Sequence, residues 1–391
     1  MQPTSHAATE LERRFDAALT GATATAALSP SSHNCQPWGL ARLSTDGARG
    51  AAATLLGGGE ERRDQEHEEY VALALDHSRE LSALPAHAVE MRVSCGAYWR
   101  TLLRALAAQG WAPSRVRVLE ADAPAPFSGW PPRWSLLCVA ALRHGEGSGE
   151  RFAELRAAAG ARRTQRGAYR REPLDAGLLD ALETPTAGEL WPGAVTVQHL
   201  TRPQQLESFA AFCSRYAGRD FSHPEAWRET HSYLRLSRAE ADVRGDGFTL
   251  RQLFGPLTPA RHLAKRVLLD PRVLRPLCRL GYDRRLADGL AATVRAGTPA
   301  LTAMGFTTAQ PGPADLLAGG ARLADYWLAA AGAGLALHPV SVVVQHEDLR
   351  HKLQARLGLA GRTFFVSRLG RPTAEVPPTA RRPDAGEHRS L

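Results

Sequence analysis

The chain alternates between stretches of helical spacing and short apolar runs. Apolar side chains recur at three- and four-residue intervals from Glu10 to Leu28, which predicts a helix ending at the polar turn cluster Ser29-Pro30-Ser31-Ser32. Val71–Leu84 and Cys95–Gln109 read as two further helices, the second closed by Gly110. Val116–Leu119 and Trp134–Leu142 read as strands on either side of the proline-rich segment Ala123–Pro132. Ala51–Glu69, rich in glycine and charge, reads as a loop leading into a helix, and Gly145–Gly149 as a short flexible break. The pattern then starts again. Helices are expected at Glu150–Ala158 and Leu174–Glu183, a strand at Ala194–Leu200, a helix rich in small residues at Gly319–Gly334, and strands at Val340–Val344 and Thr363–Leu369.

Two helix openings are alike: Cys95-Gly96-Ala97-Tyr98-Trp99-Arg100 and Gly320-Ala321-Arg322-Leu323-Ala324-Asp325-Tyr326-Trp327. Each helix is followed by a glycine and then by strand-like residues. This suggests an internal duplication, with halves at 1–149 and 150–391. Arg219 to Gly297 has no counterpart in the first half. Its helical pattern is broken by Pro224, Gly245, Gly247, Pro256, Pro259 and Pro271. A long insertion inside a repeat is either a surface excursion that covers a site or a helical subdomain of its own.

Composition narrows the class. A chain of 391 residues, 44% apolar and 23% charged, is an ordinary globular protein, which excludes collagen-like, disordered and disulfide-scaffold readings. Cys35, Cys95, Cys138, Cys213 and Cys278 form no C-x-x-C pair; their odd number and wide spacing predict reduced thiols in a cytoplasmic protein. Met1–Arg14 lacks an apolar core and a cleavage site, so no signal peptide is expected. Trp327–Val344 is the most apolar stretch, but it holds His338 and Pro339 and reads as a buried helix followed by a strand. The net charge of +8 is nearly all arginine, since Lys265 and Lys352 are the only lysines. That excess favours anionic ligands such as phosphate. With no long basic run interleaved with aromatics and no spanning segment, neither a nucleic-acid nor a membrane partner is expected.

Three motifs carry candidate chemistry. Ser29-Pro30-Ser31-Ser32-His33-Asn34-Cys35-Gln36-Pro37-Trp38 offers hydroxyls, turn amides and two carboxamides, which together match a planar heterocycle of alternating carbonyls and ring nitrogens. Its plainer reading is a polar loop before a strand. Arg162-Arg163-Thr164-Gln165-Arg166 places Arg162, Thr164 and Arg166 on one side of an extended backbone, where guanidiniums and a hydroxyl suit a phosphate; a solvated basic loop is the alternative. Arg381-Arg382-Pro383 adds charge to the same phosphate or belongs to a frayed tail. His346-Glu347-Asp348-Leu349-Arg350-His351 is one residue too long for a helical zinc pair, and no metal site is expected.

The Ser29–Trp38 segment resembles the signature of the nitroreductase family of FMN enzymes, and Arg162–Arg166 is similar to that family's phosphate-binding motif. The order, with the two motifs split between halves, resembles the Acg-type branch, in which one chain imitates a homodimer. Leu75–Arg79, Val93–Ala97, Ala318–Trp327, His338–Ser341, Arg235 and Arg244–Phe248 are further likenesses. The resemblance implies an α+β fold: two fused pseudo-twofold halves, each an antiparallel sheet flanked by helices, with Trp99 and Trp327 in the central packing and the insertion as a lid. It implies one FMN in the seam. Ser31, Ser32, Asn34 and Gln36 would touch it from the first half; Arg162, Arg163, Thr164 and Arg166 from the second. Arg381 and Arg382 would sit at the phosphate, and Pro339 and Ser341 near flavin N5. The segment after Glu183 has no Asn or Gln, and the first half has no second arginine motif, so a second site is not expected. The implied activity is hydride transfer between NAD(P)H and a nitroaromatic or quinone-like acceptor, or dehydrogenation of a biosynthetic intermediate. A monomer is expected. Tyr98, His33 and His338 are candidate proton donors. A flavin-storage protein with a closed lid is the alternative.

Overall fold

The first half of the chain runs α1 (Pro3–Ala26), β1 (Trp38–Arg42), α2 (Asp46–Leu55), β2 (Glu68–Asp76), α3 (Pro85–Ala107), β3 (Trp111–Val118) and β4 (Trp134–His144). The second opens with α4 (Phe152–Ala161), α5 (Ala176–Glu183), β5 (Val195–Leu200) and α6 (Pro203–Tyr216). The insertion follows as α7 (Gly218–Ser222), α8 (Pro224–Ser232), β6 (Leu234–Arg235), α9 (Arg238–Arg244), β7 (Phe248–Thr249), α10 (Leu250–Phe254), α11 (Pro259–Leu268), α12 (Pro271–Arg279) and α13 (Tyr282–Arg295). The half then resumes with β8 (Ala300–Phe306), α14 (Pro313–Gly332), β9 (Ala336–Pro339), α15 (Glu347–Leu357), β10 (Arg362–Gly370) and β11 (Arg389–Ser390). The structure, a computed structural model, describes residues 3–57, 68–120, 123–145, 147–185, 188, 190–384 and 386–391, with side chains from residue 10. Part of Ala51–Glu69, including Gly58 and Gly59, lies outside the described residues, as does Glu146.

Two sheets form. One has the order β11-β1-β2-β4-β3, the other β5-β8-β10-β9. Within each, neighbours are antiparallel, except that β11 joins β1 in parallel. Reading β5, β8, β9 and β10 for β1, β2, β3 and β4 converts one order into the other, with α6 in the place of α2 and α14 in the place of α3. The duplication is therefore visible in topology. The insertion occupies the connection that in the first half joins α2 to β2.

α3 and α14 cross at the seam, and glycine sets how closely. A Cβ on Gly320 would lie 2.6 Å from Ala97 N and 2.8 Å from Gly96 C; a Cβ on Gly96 would lie 2.9 Å from Leu317 C. Each glycine sits against the backbone of the other helix, so no side chain can be accommodated there. Trp99 and Trp327 are buried beside this crossing, as expected. Arg100 and Arg104 of α3 both reach Asp325 of α14, at 2.9 and 2.8 Å.

Several elements differ from the pattern reading. Val71–Leu84 is not a helix: its first part is β2, followed by a short turn at 77–79. β2 is central in its sheet and buried on both faces, so Val71-Ala72-Leu73-Ala74-Leu75 is continuously apolar, and periodicity cannot separate such a strand from a buried helix. The strand expected at Val340–Val344 lies earlier, as β9, and Ser341–Val343 is a 3₁₀ turn. β11 was not apparent from two polar residues near the end of the chain. It forms because Ala41 and Arg42 offer an open sheet edge that Arg389 and Ser390 can pair with.

Candidate functional site

The loop after α1 is under backbone strain. His33, Asn34 and Gln36 have φ of 50°, 55° and 53°, the only positive values at non-glycine positions among the described residues. Such conformations each cost of order 1–3 kcal/mol and persist only where surroundings over-determine them. Here they are over-determined. Gln36 N–H donates to Ser31 Oγ (3.0 Å), and Ser32 N–H to Ser94 Oγ (3.2 Å). Asn34 Nδ2 donates to Gly247 O (3.1 Å) and Ala380 O (3.0 Å). Gln36 Nε2 donates to Gly245 O (2.8 Å), and Gln36 Oε1 accepts from Arg382 N–H (3.2 Å). Gly245, with φ of 69°, is pressed against the tail: a Cβ there would lie 2.5 Å from Arg382 Cα. The insertion and the tail therefore hold the loop in place through its two carboxamides.

The second motif lies along β9. Thr164 forms a parallel bridge with Leu337, and Gln165 N–H donates to Leu337 O at 2.8 Å. The alternation expected from the sequence is present. Arg163 and Gln165 turn to the tail, bonding Val376 O (3.2 Å) and Ala374 O (2.8 Å). Arg162 and Arg166 go the other way. Arg162 lies 4.7 Å over the Trp327 ring and donates to Leu28 O at 3.2 Å; Arg166 lies 5.5 Å over the Phe248 ring. Arg163 thus turns away from the face of Arg162 and Arg166, as the alternation requires, whereas the resemblance had placed all of them at the cofactor.

The two motifs meet through the tail. Arg381 Nη2 donates to the same Leu28 O (2.9 Å) that Arg162 reaches, and Arg381 Nη1 donates to Asn34 Oδ1. Arg382, buried, donates to Trp38 O at 3.2 Å and lies 3.7 Å from Asp384. This tail is not frayed: its arginines are packed between the halves.

Charge balance distinguishes this cluster. Among the described residues Arg162, Arg163, Arg166 and Arg381 have no carboxylate within ion-pair distance, and Arg166 makes no hydrogen bond at all. Arg162 Nε is buried without a partner. Burial, with Arg381 and Arg163 nearby, pushes Arg162 down to about 9; burial pushes Arg166 and Arg381 down to about 10. The hydroxyls of Thr164 and Ser341 have no bond among the described residues. Unpaired, partly desolvated guanidiniums beside free hydroxyls suit a phosphate. Two histidines here, His33 and His338, are held in the neutral form. Burial, with His87 and Arg166 nearby, lowers His33 to about 3, and burial with Arg166 and Arg368 holds His338 well below its usual value. Tyr98 is buried against Trp38 and raised by burial. Cys35 is buried, its thiol raised by burial and 3.8 Å from Met91 Sδ, in the role of a core filler. Pro339 ends β9 and Ser341 opens the 3₁₀ turn, but Val340 N–H is taken by Val366 O (2.8 Å).

Other groups at the site were not apparent in the sequence. Glu90 on α3 accepts from Ser32 Oγ (2.5 Å) and Gln345 Nε2 (3.0 Å), joining both halves. Asp220 on α7 has its Oδ1 3.7 Å from His346 Nε2, too far for a hydrogen bond, and burial with Glu90 nearby raises it to about 7. Neither carries a motif: the packing of the two halves brings Glu90 here, and the packing of the insertion brings Asp220.

No protein-family model matches the chain. Solved structures overlap it in part. A protein of Anabaena variabilis (ATCC 29413), solved as a candidate nitroreductase, is 11% identical, with 88% of this chain and 82% of that one covered, at a TM-score of 0.46. The FMN-dependent nitroreductase NfnB from Mycobacterium smegmatis, in complex with NADPH, is 12% identical, with 61% of this chain and 97% of that one covered, at 0.36. A curated sequence is similar along nearly the whole length. The probable NAD(P)H nitroreductase PigM of Serratia sp. (strain ATCC 39006) is 29% identical over 383 residues, 94% of this chain and 92% of its own. The similarity to this nitroreductase thus runs through both halves of the chain. The Ser29–Trp38 and Arg162–Arg166 segments come from different halves of this chain and meet at one place. Among the described residues no helix is long and apolar enough to cross a membrane.

Proposed function

We propose that the protein is an FMN-dependent oxidoreductase that passes hydride between NAD(P)H and a small aromatic acceptor, nitroaromatic or quinone-like. The observation that supports it most is the cluster of arginines without carboxylates, joined through Arg381 to Asn34. The donor set fits the flavin phosphate. Arg162, Arg166 and Arg381 would neutralise it, with Thr164 as a hydroxyl donor and Arg382 behind them. The loop at Ser31 and Ser32, with Pro339 and Ser341 opposite, would border the ring. Bound FMN supplies reversible hydride chemistry that no side chain has. The protein's part is orientation and electrostatics. Arg166 adds positive charge without a counterion, and neutral His33 and His338 add hydrogen-bonding capacity without charge. Asn34 and Gln36 act at one remove, holding the loop to the insertion and the tail. Because the second half lacks a second Asn/Gln loop, the reading is one flavin per chain, with the fused halves serving as the dimer.

The flavin-storage reading has one observation in its favour. The insertion is bonded to Asn34 and Gln36 through its own backbone, as a closed lid would be. Stopped-flow mixing of the FMN-loaded protein with NADPH separates the two. Rapid bleaching of the flavin band, then recovery on adding a quinone, is expected for the oxidoreductase. No bleaching supports storage. A protein that stays colourless after incubation with FMN and desalting overturns both.

A further inference from the structure

We propose that the outer face of helices α10–α12 docks onto an anionic lipid bilayer. Charge is the first reason. Residues 250–285 hold nine Lys/Arg against two Asp, leaving 39 Lys/Arg against 38 Asp/Glu in the rest of the chain. Nearly the whole net charge of +8 thus stands on one tenth of the sequence. Arg261, Arg266, Arg272, Arg275 and Arg279 are exposed, and none has an ion pair among the described residues. Elsewhere exposed arginines are often paired, as Arg219 is with Asp348 and Arg295 with Glu207.

The second reason is an amphipathic helix turned outward. In α11 the apolar residues Ala260, Leu263, Ala264 and Val267 follow the i, i+3, i+4, i+7 spacing of one face. That spacing normally marks the face turned to the core. Here all four are exposed, and α11 has no buried residue. Leu263 is 60% and Val267 50% exposed. Of the five large apolar side chains that stand exposed among the described residues, four lie between Phe254 and Leu280. Arg261 and Arg266 flank the apolar stripe, and Lys265 covers Phe254 at 4.4 Å. Apolar side chains that enter an acyl boundary, ringed by cations that meet lipid phosphates, are the pattern of an interfacial helix.

Other occupants suit it less. A second copy would set one cationic face against another. Nucleic acid would leave the apolar stripe unused. The expectation of no membrane partner rested on the lack of a spanning segment, which a surface helix does not need. The inference stands whether or not the flavin reading holds.

Flotation of the full chain with vesicles tests it. Binding is expected to an equimolar mixture of phosphatidylglycerol and phosphatidylcholine, falling with salt, and not to phosphatidylcholine alone. A cation near an anionic surface adds about fivefold to the partition, so R261Q/R266Q should weaken it about 30-fold. L263S/V267S should weaken it by at least about tenfold at unchanged charge. Both pairs are exposed, so circular dichroism should match the parent. No flotation, equal flotation with the neutral vesicles, or indifference to L263S/V267S overturns the proposal. So does tighter binding to polyglutamate or duplex DNA than to the anionic vesicles.

Discussion

Replacing Arg166 with Met should stabilise the flavin-free protein and weaken flavin binding together. In the folded chain the guanidinium is half-buried, without a carboxylate or a hydrogen bond among the described residues, and its pKa is held down at about 10 rather than 12.5. The unfolded chain therefore holds this proton more tightly, and the charge costs stability at every pH below about 10. At about 1.36 kcal/mol per pH unit the ceiling is about 3 kcal/mol; partial exposure reduces it to about 1–2. Methionine keeps the aliphatic stem but loses the contact over Phe248, about 0.5–1 kcal/mol. The expected net is a gain of about 0.5–1 kcal/mol, read as a higher urea midpoint without FMN. Against the ligand, a charge-assisted bond of about 1.5–3 kcal/mol disappears, so the FMN dissociation constant from fluorescence quenching should rise about 10- to 100-fold. Arg163→Met is the control. Arg163 bonds three carbonyls, those of Val376, Gly160 and Arg162, so its loss should lower the midpoint. A lower midpoint for Arg166→Met with unchanged FMN affinity would refute the reasoning, because Arg166 would then be a structural cation.

Three further outcomes follow from the packing. Gly320→Ala should destabilise by about 1–3 kcal/mol, since its Cβ meets the backbone of Ala97, whereas Gly332→Ala in the same helix meets nothing within 4 Å and should gain up to about 1 kcal/mol; paired urea titrations decide it. Asp220, raised to about 7, contributes stability below its unfolded pKa near 3.8 that is lost as pH rises through 7; Asp220→Asn should flatten that part of the profile, and unchanged slopes would deny the raised pKa. Asp246 accepts from both Arg79 and Arg235, so Asp246→Ala leaves two cations unpaired and should speed proteolysis within 219–297 before it affects the rest of the chain.

The sequence by itself was enough for whatever is local or repeated. The Ser29–Trp38 loop and Arg162–Arg166 stand out as short polar and basic motifs, and the alternation of Arg162 and Arg166 against Arg163 followed from an extended backbone. The duplication showed in paired Gly-Ala helix openings, and the insertion in its broken helical pattern. Other features depended on contacts between distant segments. β2 was misread because burial on both faces erases periodicity, and β11 was invisible because its pairing partner lies some 350 residues away. That Asn34 and Gln36 face the insertion and the tail rather than open space, and that Glu90 and Asp220 join the site, were decided by how the halves, the insertion and the tail pack together. So was the outward apolar stripe of α11: its spacing alone reads as a core face, and only the assembled molecule shows that nothing covers it.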